Sequence, residues 1–241
     1  MWNHYRMRAG LIGAGVAAVL SACAPMGGPG PIFFPGQPQL TGLDHGSSLK
    51  ASLSDDDRQG MSQATIQLLA GGQTNASQAW QTRNGDTGTV RIGSPVLVGL
   101  DSLSGAPVPA PADIDTSTAL EAASGNYTAS KTLNVRLGPS TAAPVAQALS
   151  AGTLVRAYAK TGEWLLIGSA DQVYGYAFAQ LLTAQGGGEP VLAGGKARRP
   201  RLCREVSLQV ALAGGQRDLW SALVCKRDDG KWEVPAERGL S

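Results

Sequence analysis

The stretch RLCREVSLQVALAGGQRDLWSALVCKRDDGKW, residues 201–232, contains the clearest structural pattern of the chain. Apolar and polar residues alternate over residues 206–212, which is the pattern of a strand with one buried face. Ala213-Gly214-Gly215 then interrupts the pattern and predicts a three-residue loop. The stretch therefore predicts an antiparallel hairpin.

The two cysteines of this stretch are expected to form a structural disulfide. Folding the chain about Gly214 places Cys203 opposite Cys225, and opposite Cβ atoms in such a pair lie about 4.5–5.5 Å apart. A zinc site needs about four closely spaced nitrogen or sulfur ligands, and the chain has only His4 and His45 beside its three cysteines. A redox pair would need both cysteines at a helix start. We expect a disulfide and no metal.

The start of the chain, MWNHYRMRAGLIGAGVAAVLSACAP, has the layout of a secretory signal. Arg6 and Arg8 precede an apolar run that is shorter than the roughly 20 residues needed to span a bilayer. Ser21-Ala22 directly before Cys23 resembles the lipobox of bacterial lipoproteins. The resemblance implies removal of residues 1–22, lipidation of Cys23 and an outer-membrane location. An ordinary signal peptide or a buried helix is the alternative.

Removal of that segment has consequences for charge and for the cysteines. Arg6 and Arg8 would be lost and no acid, leaving 18 Lys+Arg (20 − 2) against 18 Asp+Glu. A net charge of zero gives no reason to expect a nucleic-acid partner. Export also places Cys203 and Cys225 in a compartment where disulfides persist.

Residues 50–102 contain the signals of a helix followed by a hairpin. Ser54 is a good N-cap, and the three aspartates of residues 55–57 suit the first turn of a helix. The aspartates lack the twelve-residue loop pattern of a calcium site. Asn84-Gly85 predicts a turn between strands at about 78–83 and 88–92. The apolar stripe of the helix consists of Met61, Ala64, Thr65 and Leu68, with Ile66 and Leu69 beside it, before Gly71-Gly72 ends it.

Three segments are rich in Gly, Pro, Ala or Ser and lack periodicity. Residues 23–49 are interpreted as a tether, and residues 103–124 and 184–199 as flexible linkers.

Residues 125–183 contain short β-rich runs that are interrupted every eight to twelve residues by turn formers. This spacing predicts a small barrel or sandwich. Its expected core residues are Val145, Leu149, Leu154, Val155, Leu165, Leu166 and Ile167.

The same block resembles the bacterial SH3-like (SH3b) domain. The resemblance lies in Leu133-Asn134-Val135-Arg136, Gly138-Pro139-Ser140, Gly152, Gly162-Glu163-Trp164 and Gly175-Tyr176. Ala177 departs from the pattern, where a valine is expected. Members of this family are mostly binding modules of envelope proteins, and some are attached to enzymes that cut peptidoglycan. The resemblance therefore implies binding without naming the ligand.

A groove on this domain would present five side chains that are expected to be exposed. They are Tyr127, Asn134, Arg136, Trp164 and Tyr176. Structural roles are equally open for three of them: Trp164 in the core, Asn134 as a turn cap and Arg136 as a partner of Glu163.

The hairpin of residues 201–232 also resembles the end of the seventeen-kilodalton surface antigen lipoproteins. The shared features are Cys-Arg-Glu, a glycine turn, a second cysteine and Asp-Gly-x-Trp, preceded by LSDDDRQ and SQAWQTRNGDTGTV. The resemblance implies that residues 50–102 and 200–237 form one domain. The expected fold is therefore mainly β with one helix (α+β), a small SH3-like barrel inserted into a disulfide-stapled antiparallel α+β domain.

Catalysis is not expected from this inventory of side chains. After processing only His45 would remain, in a flexible segment, and both unlipidated cysteines would be paired. Glu121, Glu163 and Glu189 are scattered and form no evident glycosidase pair. We expect a non-catalytic binding or scaffolding protein without a cofactor, anchored to the membrane by lipid and bound to peptidoglycan or envelope proteins. An accessory or regulatory subunit of a cell-wall hydrolase or secretion complex is the alternative.

A basic run near the second linker has two possible roles. It consists of Lys196, Arg198, Arg199, Arg201 and Arg204. It could contact anionic cell-wall or lipid groups, or it could simply be solvated.

Overall fold

A computed structural model of the protein describes residues 39–100, 106–186, 191–192 and 199–235. The predicted signal peptide, Cys23 and parts of the predicted tether and linkers lie outside these residues. The described part is mostly β with one helix, as expected. Its elements are α1 (Asp55–Gly71), β1 (Ser77–Gln81), β2 (Thr87–Val98), β3 (Val108–Pro109), β4 (Glu121–Ala129), β5 (Leu133–Arg136), β6 (Val145–Leu149), β7 (Leu154–Thr161), β8 (Trp164–Gly168), β9 (Val173–Phe178), β10 (Leu182–Ala184), β11 (Val191–Leu192), β12 (Arg201–Ala211), β13 (Arg217–Lys226) and β14 (Trp232–Glu233).

The first sheet joins strands from both ends of the described chain. Its order is β1-β2-β12-β13-β14, with β3 paired to β2. The antiparallel pairing of β2 with β12 runs from Arg201 opposite Val98 to Ala211 opposite Thr87. Because β12 extends this far along it, β2 continues to Val98, well beyond the predicted end at residue 92. The helix α1 covers one face of this sheet and buries a shared apolar core, which includes Met61, Val90, Ile92, Val206 and Leu208.

The predicted hairpin and its disulfide are confirmed. β12 pairs with β13 so that Cys203 lies opposite Cys225, and the register continues to Ala211 opposite Arg217. The two cysteines are disulfide-bonded, with their Cα atoms 3.9 Å apart. Both are fully buried in a small apolar cluster with Val98, on the face of the sheet opposite to α1.

Both ends of α1 are held by polar contacts. At its start the Ser54 hydroxyl accepts the Asp57 amide at 3.2 Å, and Asp57 Oδ2 accepts the Ser54 amide at 2.8 Å, a reciprocal capping box. At its end the guanidinium of Arg204, from β12, donates to the carbonyls of Gly72 at 3.0 Å and Gln73 at 2.8 Å. No helix among the described residues is long and apolar enough to cross a membrane.

Part of the predicted tether belongs to the fold, which corrects the interpretation of residues 39–49. Leu40 and Leu43 are buried in the core beneath α1. The indole of Trp220 donates to the Leu43 carbonyl at 2.6 Å, and the carboxylate of Asp218 accepts the Ser47 hydroxyl at 2.7 Å. Residues 39–53 are called the covering segment below. The polar residues around them concealed that Leu40, Leu43 and Leu53 belong to the apolar core.

The second sheet has the order β10-β4-β7-β8-β9-β5-β6, with β11 paired to β4. Its inner face buries a core that includes Leu149, Val155, Leu165 and Ile167, as predicted. The prediction is wrong for two other residues, because Val145 is 48% exposed and Leu154 is 63% exposed. Val145 lies on β6, which ends the order of this sheet and presents four of its five residues to solvent.

Residues 106–120, here the connecting segment, are packed rather than flexible, which corrects the interpretation of 103–124 as a flexible linker. Ala110, Ile114 and Leu120 are buried in a cluster that both sheets share. The first sheet contributes Leu97 and Leu202, and the second sheet contributes Tyr158, Leu166, Val173 and Tyr176. The second sheet is therefore buried on both faces near β8 and β9.

Candidate functional site

The surface of β5, β8 and β9 carries most of the residues that the sequence suggested for ligand binding. β9 approaches β5 closely: a Cβ at Gly175 would lie 2.4 Å from the carbonyl oxygen of Arg136, and its φ of +138° is one that L side chains rarely adopt. A glycine is therefore required before Tyr176. This explains the Gly-Tyr pair in the sequence pattern by backbone packing rather than by ligand contact.

Tyr176 and Tyr127 are buried, contrary to the expectation that they are exposed. Tyr176 has no exposed surface, and its hydroxyl donates to the carbonyl of Asp115 at 2.8 Å. Burial raises its pKa far above the ordinary value, with a smaller contribution from Asp115. Tyr127 is 4% exposed, and its burial likewise raises its pKa. The connecting segment lies over Tyr176, so neither ring is available to a ligand in this structure.

Arg136 and Trp164 are half-buried and already have partners. The Arg136 guanidinium donates to the Ala143 carbonyl at 2.7 Å, so it stabilises the β5–β6 turn instead of pairing with Glu163. The ring of Trp164 meets that of Phe178 edge-on, with centroids 5.5 Å apart. Trp164 also packs against the cluster shared by the two sheets. Both side chains thus stabilise the fold, and part of the surface of each remains accessible to solvent.

Asn134 is the one predicted ligand residue that is exposed outright. It lies opposite Ala148 on the β5–β6 hairpin. The exposed surface of β6 beside it is uncharged and includes Ala146 and Gln147. Among the described residues of the second sheet, Asn134 with the accessible edges of Arg136 and Trp164 is what remains of the predicted groove.

The basic run is mostly engaged within the protein. Arg199 pairs with Asp228 at 3.1 Å, and Arg201 pairs with Glu233. Arg204 is 3% exposed, and burial lowers its pKa while nearby Asp113 raises it. Lys196 and Arg198 lie outside the described residues. The described arginines of the run therefore make contacts within the protein and do not form a free basic patch that could bind an anionic surface.

Two clefts outside the second sheet were missed because residues far apart in sequence form them. One, of about 460 Å³, lies between the covering segment, Ile66 of α1 and the β14 residues Trp232 and Glu233. The other, of about 620 Å³, lies between the connecting segment and the β13–β14 turn. Charged side chains of residues 226–231 line both clefts. In the described ranges no group of three His, Cys, Asp or Glu side chains could hold a metal ion.

Comparison with known families identifies one part of the chain. Residues 131–183 match the family described as bacterial SH3 domain. This range begins just before β5 and ends within β10, so it covers the hairpin of Asn134 and the strands β7 to β9. No curated protein and no solved structure gives a match to the chain. The chain thus contains a bacterial SH3 domain, as its sequence pattern suggested.

Proposed function

We propose that the protein is a non-catalytic binding or scaffolding protein of the bacterial cell envelope, which binds peptidoglycan or envelope proteins through its SH3 domain. The observation that carries the proposal is the bacterial SH3 domain at residues 131–183. Domains of this kind suggest a binding module.

The SH3 domain is inserted, on this proposal, into a domain of the seventeen-kilodalton surface antigen type. The pairing of β2 with β12 supports this, because it joins residues before and after the SH3 domain in one sheet. The disulfide between Cys203 and Cys225 fits a protein of an oxidising compartment.

Cys23 attaches the protein to the outer membrane in this proposal, as the sequence Leu-Ser-Ala-Cys at residues 20–23 suggests. Several acyl chains give stable anchoring, because each buried CH₂ contributes about 0.8 kcal/mol. Labelling of growing cells with palmitate tests the anchor. The wild-type chain should be labelled and Cys23→Ser should not; equal labelling of both would rule out this anchor.

Sedimentation with purified peptidoglycan sacculi tests the binding function. The variant Asn134→Ala/Arg136→Ala removes the accessible polar side chains of β5 and should reduce the pelleted fraction several-fold. Asn134→Ala alone leaves the contact of Arg136 with Ala143 intact and should already show part of this loss. Each lost exposed polar contact is worth roughly 1 kcal/mol, or about fivefold in affinity. The matched control is Gln209→Ala/Arg91→Ala, which removes an amide and a guanidinium from the exposed face of the first sheet.

Each outcome of this experiment bears on the proposal. Loss of binding in the hairpin variant alone supports the SH3 surface as the binding site. Equal retention of both variants places peptidoglycan binding elsewhere, and absence of wild-type binding removes peptidoglycan as the ligand. If sacculi do not bind and in vivo crosslinking recovers a cell-wall hydrolase, the accessory-subunit alternative replaces the proposed function.

A further inference from the structure

The larger of the two clefts, of about 620 Å³, has walls of opposite charge. One wall is the part of the connecting segment that carries Asp113 and Asp115. The other carries Lys226 at the end of β13, followed by Arg227 and Asp228 of the β13–β14 turn. Apolar side chains of Ile114 and Leu202, both about 95% buried, lie between the walls. Its volume falls within the range of about 300–1,000 Å³ that is typical of ligand pockets. We call it the charge-divided cleft.

The acidic wall is held rigidly by the SH3 domain. The Asp115 amide donates to the Leu137 carbonyl at 2.6 Å, and the Asp115 carbonyl accepts the Tyr176 hydroxyl at 2.8 Å. Asp115 Oδ1 accepts the Ser117 amide at 2.8 Å, which fixes that carboxylate as well. A wall fixed at these points loses little conformational entropy when a ligand binds.

The two walls each offer one charged group without a direct partner. Within the described residues, the side chains of Asp113 and Lys226 are exposed and make no hydrogen bond or ion pair. The carboxylate of Asp113 interacts electrostatically with the buried guanidinium of Arg204. The other cations of the cleft are engaged: Arg199 with Asp228, and Arg227 with Asp229 and Glu233.

We propose that the charge-divided cleft binds a short peptide with free ends, its ammonium group at Asp113 and Asp115 and its carboxylate at Lys226. A group of either sign alone would meet one favourable and one unfavourable wall, whereas a zwitterion satisfies both. Ile114 and Leu202 contact the apolar side chains of the peptide between its ends. The site lies outside residues 131–183, so it is separate from the surface of the SH3 domain proposed above.

Tri-alanine and its blocked forms test the proposal by calorimetry with the folded protein. Free tri-alanine should bind with a dissociation constant of about 1 mM, the weak end of specific binding. The N-acetylated and the C-amidated peptides should each bind at least about threefold more weakly, and the doubly blocked peptide about tenfold more weakly, as expected for exposed charge pairs. Equal affinity for all four peptides, or no binding at about 10 mM, overturns the proposal.

Variants at the two walls locate the binding. Asp113→Asn should abolish the preference for a free amino end, and Lys226→Gln should abolish the preference for a free carboxyl end. The controls Asp171→Asn and Lys131→Gln change exposed residues of the same types outside the cleft and should bind like wild type. If the controls weaken binding as much as the wall variants, the effect is one of net charge and the site is refuted.

The variants also separate this inference from the proposed function. Loss of peptide binding in Asp113→Asn with undiminished sedimentation on sacculi is the expected result. Failure of tri-alanine to bind while sacculi still pellet the protein refutes the cleft alone. If tri-alanine binds and sacculi do not, the cleft is supported and the proposed function is refuted for peptidoglycan.

Discussion

The side chain of Trp80 packs between the first sheet and α1. Its indole lies between two glycines, Gly60 of α1 and Gly88 of β2. A Cβ at position 60 would lie 3.0 Å from the ring, and one at position 88 would lie only 2.3 Å from it. Glycine costs up to about 1 kcal/mol inside a helix relative to alanine, so its presence at position 60 is explained by the thickness of the indole.

Gly88→Ala is therefore expected to destabilise the protein by about 1–3 kcal/mol, the usual cost of overpacking a core. Urea unfolding followed by circular dichroism measures the change. The control is Gly71→Ala at the end of α1, where an added Cβ meets nothing within 4 Å. It should be neutral or slightly stabilising; a Gly88→Ala variant as stable as this control would contradict the packing described.

The covering segment is held against β13 by hydrogen bonds to one polar side chain, that of Asp218. Asp218 of β13 accepts hydrogen bonds from the Ser47 hydroxyl and the Ser48 amide, both at 2.7 Å. The Ser47 contact is the main reason that the pKa of Asp218 falls from its ordinary 3.8 to about 2. The segment is thus attached to β13 in part through the carboxylate of Asp218, and these hydrogen bonds favour its ionised form.

This contact predicts a pH dependence. Because the pKa of Asp218 is lower in the folded state, the contact stabilises the protein above about pH 4 and is lost as the pH falls towards 2. Asp218→Asn should lower stability at pH 7 and flatten the stability curve between pH 4 and 2, measured by thermal unfolding. Glu121→Gln, which changes an exposed acid of β4, should leave the curve unchanged. Parallel curves for wild type and Asp218→Asn would refute the role of this carboxylate.

The hairpin of β12 and β13 was predictable because its pattern is local. The alternation of residues 206–212 and the glycine turn fix the register without knowledge of the rest of the chain, and so Cys203 and Cys225 could be paired from sequence. The contact of Arg204 with the last carbonyls of α1 was not predictable, because more than 100 residues separate the partners. An arginine within a basic run is expected to be exposed to solvent, and only the fold shows that Arg204 is buried.

The SH3 domain shows the same difference between local and distant information. Its glycine positions follow from local turns and close approaches, so the pattern was recognisable. The burial of Tyr176 depends on the connecting segment, whose composition of Ala, Pro, Ser and Thr suggests flexibility. Val108, Ile114 and Leu120, isolated in that composition, were the signal that the segment packs.

At the scale of the whole molecule, the cluster around Ile114 joins the two sheets. It contains residues of β2 and β12 as well as β7, β8 and β9. A shared core makes the loss of one sheet costly for the other, and small domains with one core unfold cooperatively. The SH3 domain is therefore fixed to the first sheet rather than free to reorient.

Ile114→Ala should lower the stability of both sheets together by about 2–5 kcal/mol, the usual cost of such a truncation. Hydrogen exchange by NMR measures this at individual amides of β8 and β12. Leu154→Ala, which truncates a side chain that is 63% exposed, should change neither. If Ile114→Ala accelerates exchange in one sheet only, the sheets are energetically independent.

The attachment of the covering segment also limits how far the protein can stand from a membrane. If Cys23 carries lipid as proposed, 17 residues (40 − 23) separate it from Leu40, the first buried residue in the described part of the chain. At about 3.3–3.6 Å per residue the maximal span is about 60 Å. With a free tether up to residue 49, the 27 residues to Lys50 (50 − 23) would span about 95 Å. The contacts of the covering segment with Trp220 and Asp218 thus remove about a third of the distance that the SH3 domain could otherwise reach from the membrane.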